Sequence, residues 1–146
     1  AAYFNLGNAL LHAGHTVEAA QRYLDAKERE PVGSEYWAVA TASAYESLKL
    51  EVCSEVTKPE WWNDKGLTAL SMRVVRAAPN HVAANGMRAS ILRGACCAWE
   101  AGPRSAAELK EAATHFEQAA ALCGAPGLTA VLAENAANCR SLAEAM

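Results

Sequence analysis

Cysteine and histidine are the residues in this chain best suited to ligate a metal or act as nucleophile and base. They are Cys53, Cys96, Cys97, Cys123 and Cys139, with His12, His15, His81 and His115. One set mixes both types: Cys96-Cys97 with His81 and His115. Adjacent helical side chains diverge by about 100°, so Cys96 and Cys97 cannot aim two sulfurs at one ion as a Cys-x-x-Cys pair does. The expectation is no metal and no cofactor, with the cysteines as small buried hydrophobes. An odd count without the dense spacing of a secreted scaffold predicts 5 reduced thiols. It also predicts an intracellular, reducing compartment, the cytoplasm first and an organelle interior otherwise.

Catalytic groupings are equally thin. None of the four histidines has a Ser, Cys or Asp partner implied by local sequence. Gly86, Gly94 and Gly102 are spread along a helical stretch and lack the strand-turn-helix context of a phosphate loop. Glu108, Glu111 and Glu117 read as a solvated face, because nothing nearby would desolvate one of them selectively. No catalytic residue is assigned, and the chain is not expected to be an enzyme.

Composition narrows the partner class. A formal charge of −3 leaves no basic footprint for nucleic acid. No apolar run approaches the roughly 20 residues needed to span a bilayer, and no charged-then-apolar leader opens the chain, so direct membrane insertion is not expected. The chain starts at Ala1, already near a helix start, so a longer parent protein is expected. At 146 residues and 52% hydrophobic, it is one domain or one segment of a repeat array.

The elements that must position any binding surface are helices. Tyr3, Leu6 and Leu10 lie at spacings of three and four, as do Ala19, Tyr23 and Ala26. Gly14 ends the first of these helices and Pro31 the second. Small residues allow two helices to approach closely, and Gly7 with Ala19 are placed at such a crossing. An aromatic at 3, Leu6-Gly7, Leu10, Ala19, Tyr23, Ala26 and Pro31 fill every slot of the tetratricopeptide signature in order, with Tyr3 for the usual Trp and Leu10 for the usual Tyr. Residues 3–31 therefore resemble a tetratricopeptide repeat (TPR).

The remainder is more degenerate. Ser34 caps a helix running past Tyr45 and Leu48 toward Val52 or Val56, and Thr57-Lys58-Pro59-Glu60 reads as a capping box opening a helix from Trp61 to Ala78, closed by Pro79. Asn80 caps a helix through Val82, Met87, Ile91, Leu92 and Trp99 to Gly102-Pro103. Ser105-Ala106-Ala107-Glu108 is a second capping box, and the helix after it restores the Ala112, Phe116, Ala119 spacing. Gly124-Ala125-Pro126-Gly127 marks a turn before a last amphipathic helix carrying Leu128, Val131, Leu132, Ala136, Cys139 and Leu142. The predicted fold is all-α: an α-solenoid of three antiparallel helix pairs at about 1–33, 34–79 and 80–124, with a terminal helix at 127–145.

The resemblance implies a groove lined by the first helix of each pair, which receives a partner protein. It would expose Phe4, Asn8, Leu11 and His12, then Ala38, Ala42, Tyr45 and Glu46, then Gly86, Ser90 and Arg93. Co-chaperones of this family clamp a terminal carboxylate with Lys and Asn donors. Here Asn8 matches one donor, but Phe4, Val39, Ala83 and Met87 occupy the others and Arg88 is one residue out of register, which excludes that clamp. Trp61 and Trp62, read as helical neighbours, cannot face one core together, so one is expected to be buried and the other to anchor a partner. The leading reading is a protein-interaction adaptor or scaffold. The alternative is a structural subunit built permanently into a large assembly, and a regulatory domain attached to an enzyme ranks third.

Overall fold

A computed structural model of the chain describes residues 2–95 and 98–146. The expectations for Cys96 and Cys97 lie outside the described residues. Among the described residues the chain is all-helical, with no strand. Its helices are α1 (Ala2–His12), α2 (Thr16–Arg29), α3 (Glu35–Leu48), α4 (Asp64–Ala77), α5 (Val82–Arg93), α6 (Ala106–Leu122) and α7 (Pro126–Glu144), with a 3₁₀ turn at Glu51–Cys53. Each packs on its neighbour in sequence, and α3 also touches α5. No helix among the described residues is long and apolar enough to cross a membrane.

Several helix ends follow directly from local chemistry. Gly14 takes φ of 86° and closes α1. The Ser34 hydroxyl accepts the Trp37 amide at 3.2 Å, and Ser105 with Glu108 forms a reciprocal capping box. The first two helices meet where expected: a Cβ at Gly7 would lie 2.7 Å from Tyr23 Cε1, so only glycine admits that ring. The Tyr23 hydroxyl then donates to Asn8 Oδ1 at 2.7 Å.

Four helix boundaries differ from expectation, each for an identifiable reason. Helix α3 stops at Leu48, and the connector after it is held by Lys58, whose Nζ donates to the carbonyls of Cys53 and Val56 at 2.6 and 2.9 Å. The Thr57–Glu60 capping box does not start α4. Asn63 does, its Oδ1 accepting the Gly66 amide at 2.8 Å. Trp61 and Trp62 thus precede the helix, and the Trp61 carbonyl folds back so closely over Gly66 that a Cβ there would collide with it.

The third difference is α5, which ends at Arg93 instead of running through Trp99 to Gly102. Gly94 turns left-handed at φ 71°, and Arg104 returns to donate to the Leu92 and Ile91 carbonyls at 2.9 and 2.8 Å. That guanidinium supplies the partners that the helix end has lost. Asp64 receives the rest of Arg104 at 2.6 and 2.8 Å, and also accepts from Trp99 Nε1 and the Gly102 amide. The segment 99–104 is thereby fastened to the start of α4. His81, not Asn80, caps α5: its Nδ1 accepts the Ala83 amide at 3.2 Å.

The largest core cluster lies between α3, α4 and α5 and contains Trp37, Tyr45, Leu67, Val74, Met87, Ile91 and Trp99. A second joins α5, α6 and α7 through Leu92, Ala112, Phe116, Leu132, Ala136 and Cys139. A third sets Ala19 and Tyr23 against Ala44 of α3. Removing a buried aliphatic side chain such as Leu67 typically costs about 2–5 kcal/mol, because the surrounding helices relax only partly.

Candidate functional site

The face best suited to recognition is a pocket of about 470 Å³ bounded by alternate helices. From α3 come Glu46 and, at its C-cap, Lys49; from the start and middle of α5 come Val82, Ala83, Gly86 and Ser90, with His81 at its cap. From α7 come Leu128, Val131, Leu132 and Asn135, and Phe116 of α6 closes the back. Its apolar wall is exposed: Leu128 and Val131 are 47% and 52% accessible despite their aliphatic side chains. Gly86 leaves the floor open, since a Cβ there would meet nothing nearer than Glu46 Oε1 at 3.9 Å.

Charge around the pocket is nearly cancelled. Lys49 and Glu46 pair at 3.0 Å. Burial pushes the His81 imidazole down from its ordinary pKa, opposed by Glu35, and its capping role needs a bare Nδ1, so it is neutral at pH 7. Arg93 borders the site: its Nη1 donates to Asn135 Oδ1 at 2.9 Å, and its guanidinium lies 5.6 Å from the Phe116 ring centre. Such a lining favours non-covalent binding of a partly apolar ligand.

Of the residues singled out from sequence, Glu46, Gly86 and Ser90 line this pocket, and Arg93 contacts two of its walls. Phe4 and Asn8 are turned toward Tyr23, Phe4 with ring centres 5.5 Å apart, while Leu11 and His12 are exposed. The expected exposure of Tyr45, Ala38 and Ala42 is corrected, because all three are fully buried. Tyr45 faces α4 and the returning segment, its ring 5.6 Å from Trp62 and 6.0 Å from Trp99.

The tryptophan pair is corrected too. Trp61 and Trp62 precede α4 and are both half-buried against the large core, in place of the one buried and one exposed indole expected of two helical neighbours. Trp62 Nε1 donates to the Ala98 carbonyl at 3.0 Å, and Lys27 sits between the Trp61 and Trp37 rings, 5.6 and 5.8 Å from their centres. A turn, unlike a helix, can direct consecutive side chains to the same surface. Val39 is half-buried and Met87 fully buried, and Arg88 is 4% exposed, so none is a ligand donor. No protein-family model, curated protein or solved structure matches the chain.

Lys49, His81, Val82 and Asn135 were not assigned to the groove from sequence, and Leu128 and Val131 were grouped with the apolar positions of the last amphipathic helix without a binding role. Only Leu132, Ala136, Cys139 and Ala143 of α7 are buried. The available signal was breadth: the apolar positions of α7 span more of its circumference than one neighbouring helix can cover.

A polar network crosses the second core. Arg88 donates to Glu111 at 3.0 Å, to the Thr68 carbonyl at 2.8 Å and to Ser71 Oγ at 3.1 Å. His115 lies between Glu111 (Nε2, 3.3 Å) and Asn85 Oδ1 (Nδ1, 3.0 Å), and Asn85 Nδ2 donates to the Pro79 and His81 carbonyls. Burial lowers the His115 pKa more than Glu111 raises it. Each His115 ring nitrogen faces an acceptor oxygen, and the network ties α4, α5 and α6 together. Among the described residues, no three His, Cys, Asp or Glu side chains are grouped closely enough to hold a metal.

Proposed function

We propose that this chain is a protein-binding helical repeat of tetratricopeptide type, an α-solenoid of the pairs α1–α2, α3–α4 and α5–α6 with α7 as terminal helix, and that it acts by binding, not by chemistry. The observation that carries this reading is the pocket wall: three alternate helices, α3, α5 and α7, contribute to one depression that holds two exposed aliphatic side chains. Solenoids of helix pairs build continuous binding surfaces in this way. The likeness between first and last pairs adds support, since Ala19, Tyr23 and Ala26 and the equally spaced Ala112, Phe116 and Ala119 are all buried.

The alternative, a segment held permanently in an assembly, drew on a solvent-facing tryptophan. Both indoles are half-buried on the core, which reduces that part of its support and leaves the divergence of the second and third repeats. The test is selection of short peptides from a random display library, followed by affinity measurement on the double variant Leu128→Glu, Val131→Glu. Selected peptides should lose about tenfold or more in affinity while helix content stays unchanged. Undiminished binding would place recognition elsewhere on the molecule.

A further inference from the structure

Arg93 is set apart from the other shielded arginines. Among the described residues, the arginines that are not solvent-exposed are Arg22, Arg88, Arg93, Arg104 and Arg140. Four of them bond a carboxylate: Arg22 to Asp25, Arg88 to Glu111, Arg104 to Asp64 and Arg140 to Glu117. Arg93 instead has the neutral Asn135 amide, the face of Phe116 and the nearby Cys139 thiol, and its Nε is buried without a hydrogen bond. A half-buried guanidinium gains most from a charge-assisted, two-pronged bond to a carboxylate, and no described residue supplies one.

Asn135 and Phe116 are both pocket walls. Glu46 and Lys49 neutralise each other across the lining, whereas Arg93, which touches the lining residues Asn135 and Phe116, is a charge beside the pocket without a carboxylate partner. The first turns of α5 and α7, at Val82 and Leu128, add the positive ends of two helix dipoles. Beside this charge lies the apolar wall of Leu128, Val131 and Val82, over the open floor at Gly86.

We propose that the pocket takes an acidic-apolar peptide segment of a partner protein, with a Leu- or Phe-sized side chain seated against Leu128 and Val131 and an adjacent Asp or Glu carboxylate on Arg93. The proposal rests on the reading of the pocket as a protein-binding groove and adds the chemistry of the occupant. A basic segment would meet an unbalanced guanidinium, and a purely apolar one would leave it unpaired.

The test uses three pools of short fluorescein-labelled peptides, all C-terminally amidated so that only side chains supply carboxylates. Each mixes Leu and Phe at random with Glu, with Gln or with Lys. Fluorescence anisotropy should rank the Glu pool tighter than the Gln pool by about tenfold, with the Lys pool weakest. Arg93→Gln should abolish the difference between the Glu and Gln pools. Gly86→Leu, which fills the floor with a residue that favours helix, should abolish pocket binding with the fold intact.

Equal binding of all three pools, lost in Gly86→Leu, would overturn the acidic preference while leaving the groove reading standing. Binding only by free-acid versions of the peptides would move the carboxylate to a chain end and also overturn the proposal. Binding that survives Gly86→Leu, or no binding by any pool, would remove the groove reading and the proposal with it.

Discussion

Asp64 and Arg104, 40 positions apart, meet through two hydrogen bonds of 2.6 and 2.8 Å, and the same guanidinium terminates α5. One ion pair therefore joins the start of α4, the end of α5 and the 99–104 return. Arg104→Lys keeps the charge but cannot reach the Asp64 oxygens and the α5 carbonyls together. Breaking a fully buried pair costs about 3–5 kcal/mol. Asp64 is 28% exposed, so solvent screening lowers the expected loss to about 1–3 kcal/mol, read by urea denaturation.

The same pair predicts an acid response. The Arg104 hydrogen bonds hold the Asp64 carboxyl well below the usual carboxylate range. Its contribution is complete above the unfolded pKa of about 3.9 and is lost as pH falls toward the folded value. Melting curves between pH 5 and pH 2 should lose less stability for Asp64→Asn than for the wild type.

Two histidines act at milder pH. His81 and His115 both have folded pKa values lowered by burial, so the unfolded chain takes up their protons first. Their contribution is whole above the unfolded pKa of about 6.5 and declines as pH falls below it. Protonating His81 also removes the acceptor that caps α5. His81→Asn can cap without titrating, so its melting temperature should fall less than that of the wild type between pH 7.5 and pH 5. An equal fall in both proteins would remove His81 from the account.

Helix identity and much of the capping were legible from local spacing. Ser34, Ser105 with Glu108, and Gly14 act where their types and positions predict. Periodicity and a carried-over groove geometry identify which residues share a helix face but not which neighbour covers it, and this is why Tyr45 was expected at the surface although it is buried. The α5 end depended on Arg104 returning from outside the helix, and the Trp61-Trp62 turn on the fit of a carbonyl over Gly66. Neither relationship has a local sequence signature. Three pocket residues, Glu46, Gly86 and Ser90, were found because groove positions recur within helices; Lys49 and His81 cap helix ends, and Asn135 lies mid-way along α7, outside the three pairs from which groove positions were carried.

Two glycines should tolerate substitution poorly. Gly7→Leu drives its side chain into the Tyr23 ring, and Gly66→Ala drives a Cβ into the Trp61 backbone. Overpacking of this kind costs about 1–3 kcal/mol. For Gly66→Ala, the near-ultraviolet signal of the tryptophan cluster should change along with stability. A wild-type melting temperature for Gly7→Leu would refute the α1–α2 register.

Thiol reactivity should divide by burial. Cys53 and Cys139 are fully buried, and burial pushes both thiols up, whereas Cys123 is half-exposed. Native-state alkylation followed by peptide mapping should label Cys123 well before Cys53 or Cys139. Under denaturing, non-reducing conditions the chain should titrate 5 thiols; a lower count would indicate disulfides.

If partners engage the face shared by α3, α5 and α7, a photo-crosslinking side chain at Val131, in the pocket, will capture peptides selected on the wild type, and one at Gln118, exposed on α6, will not. Irradiation should give adducts from Val131 and none above background from Gln118. Adducts from Gln118 alone, or equally from both positions, would place recognition off this face.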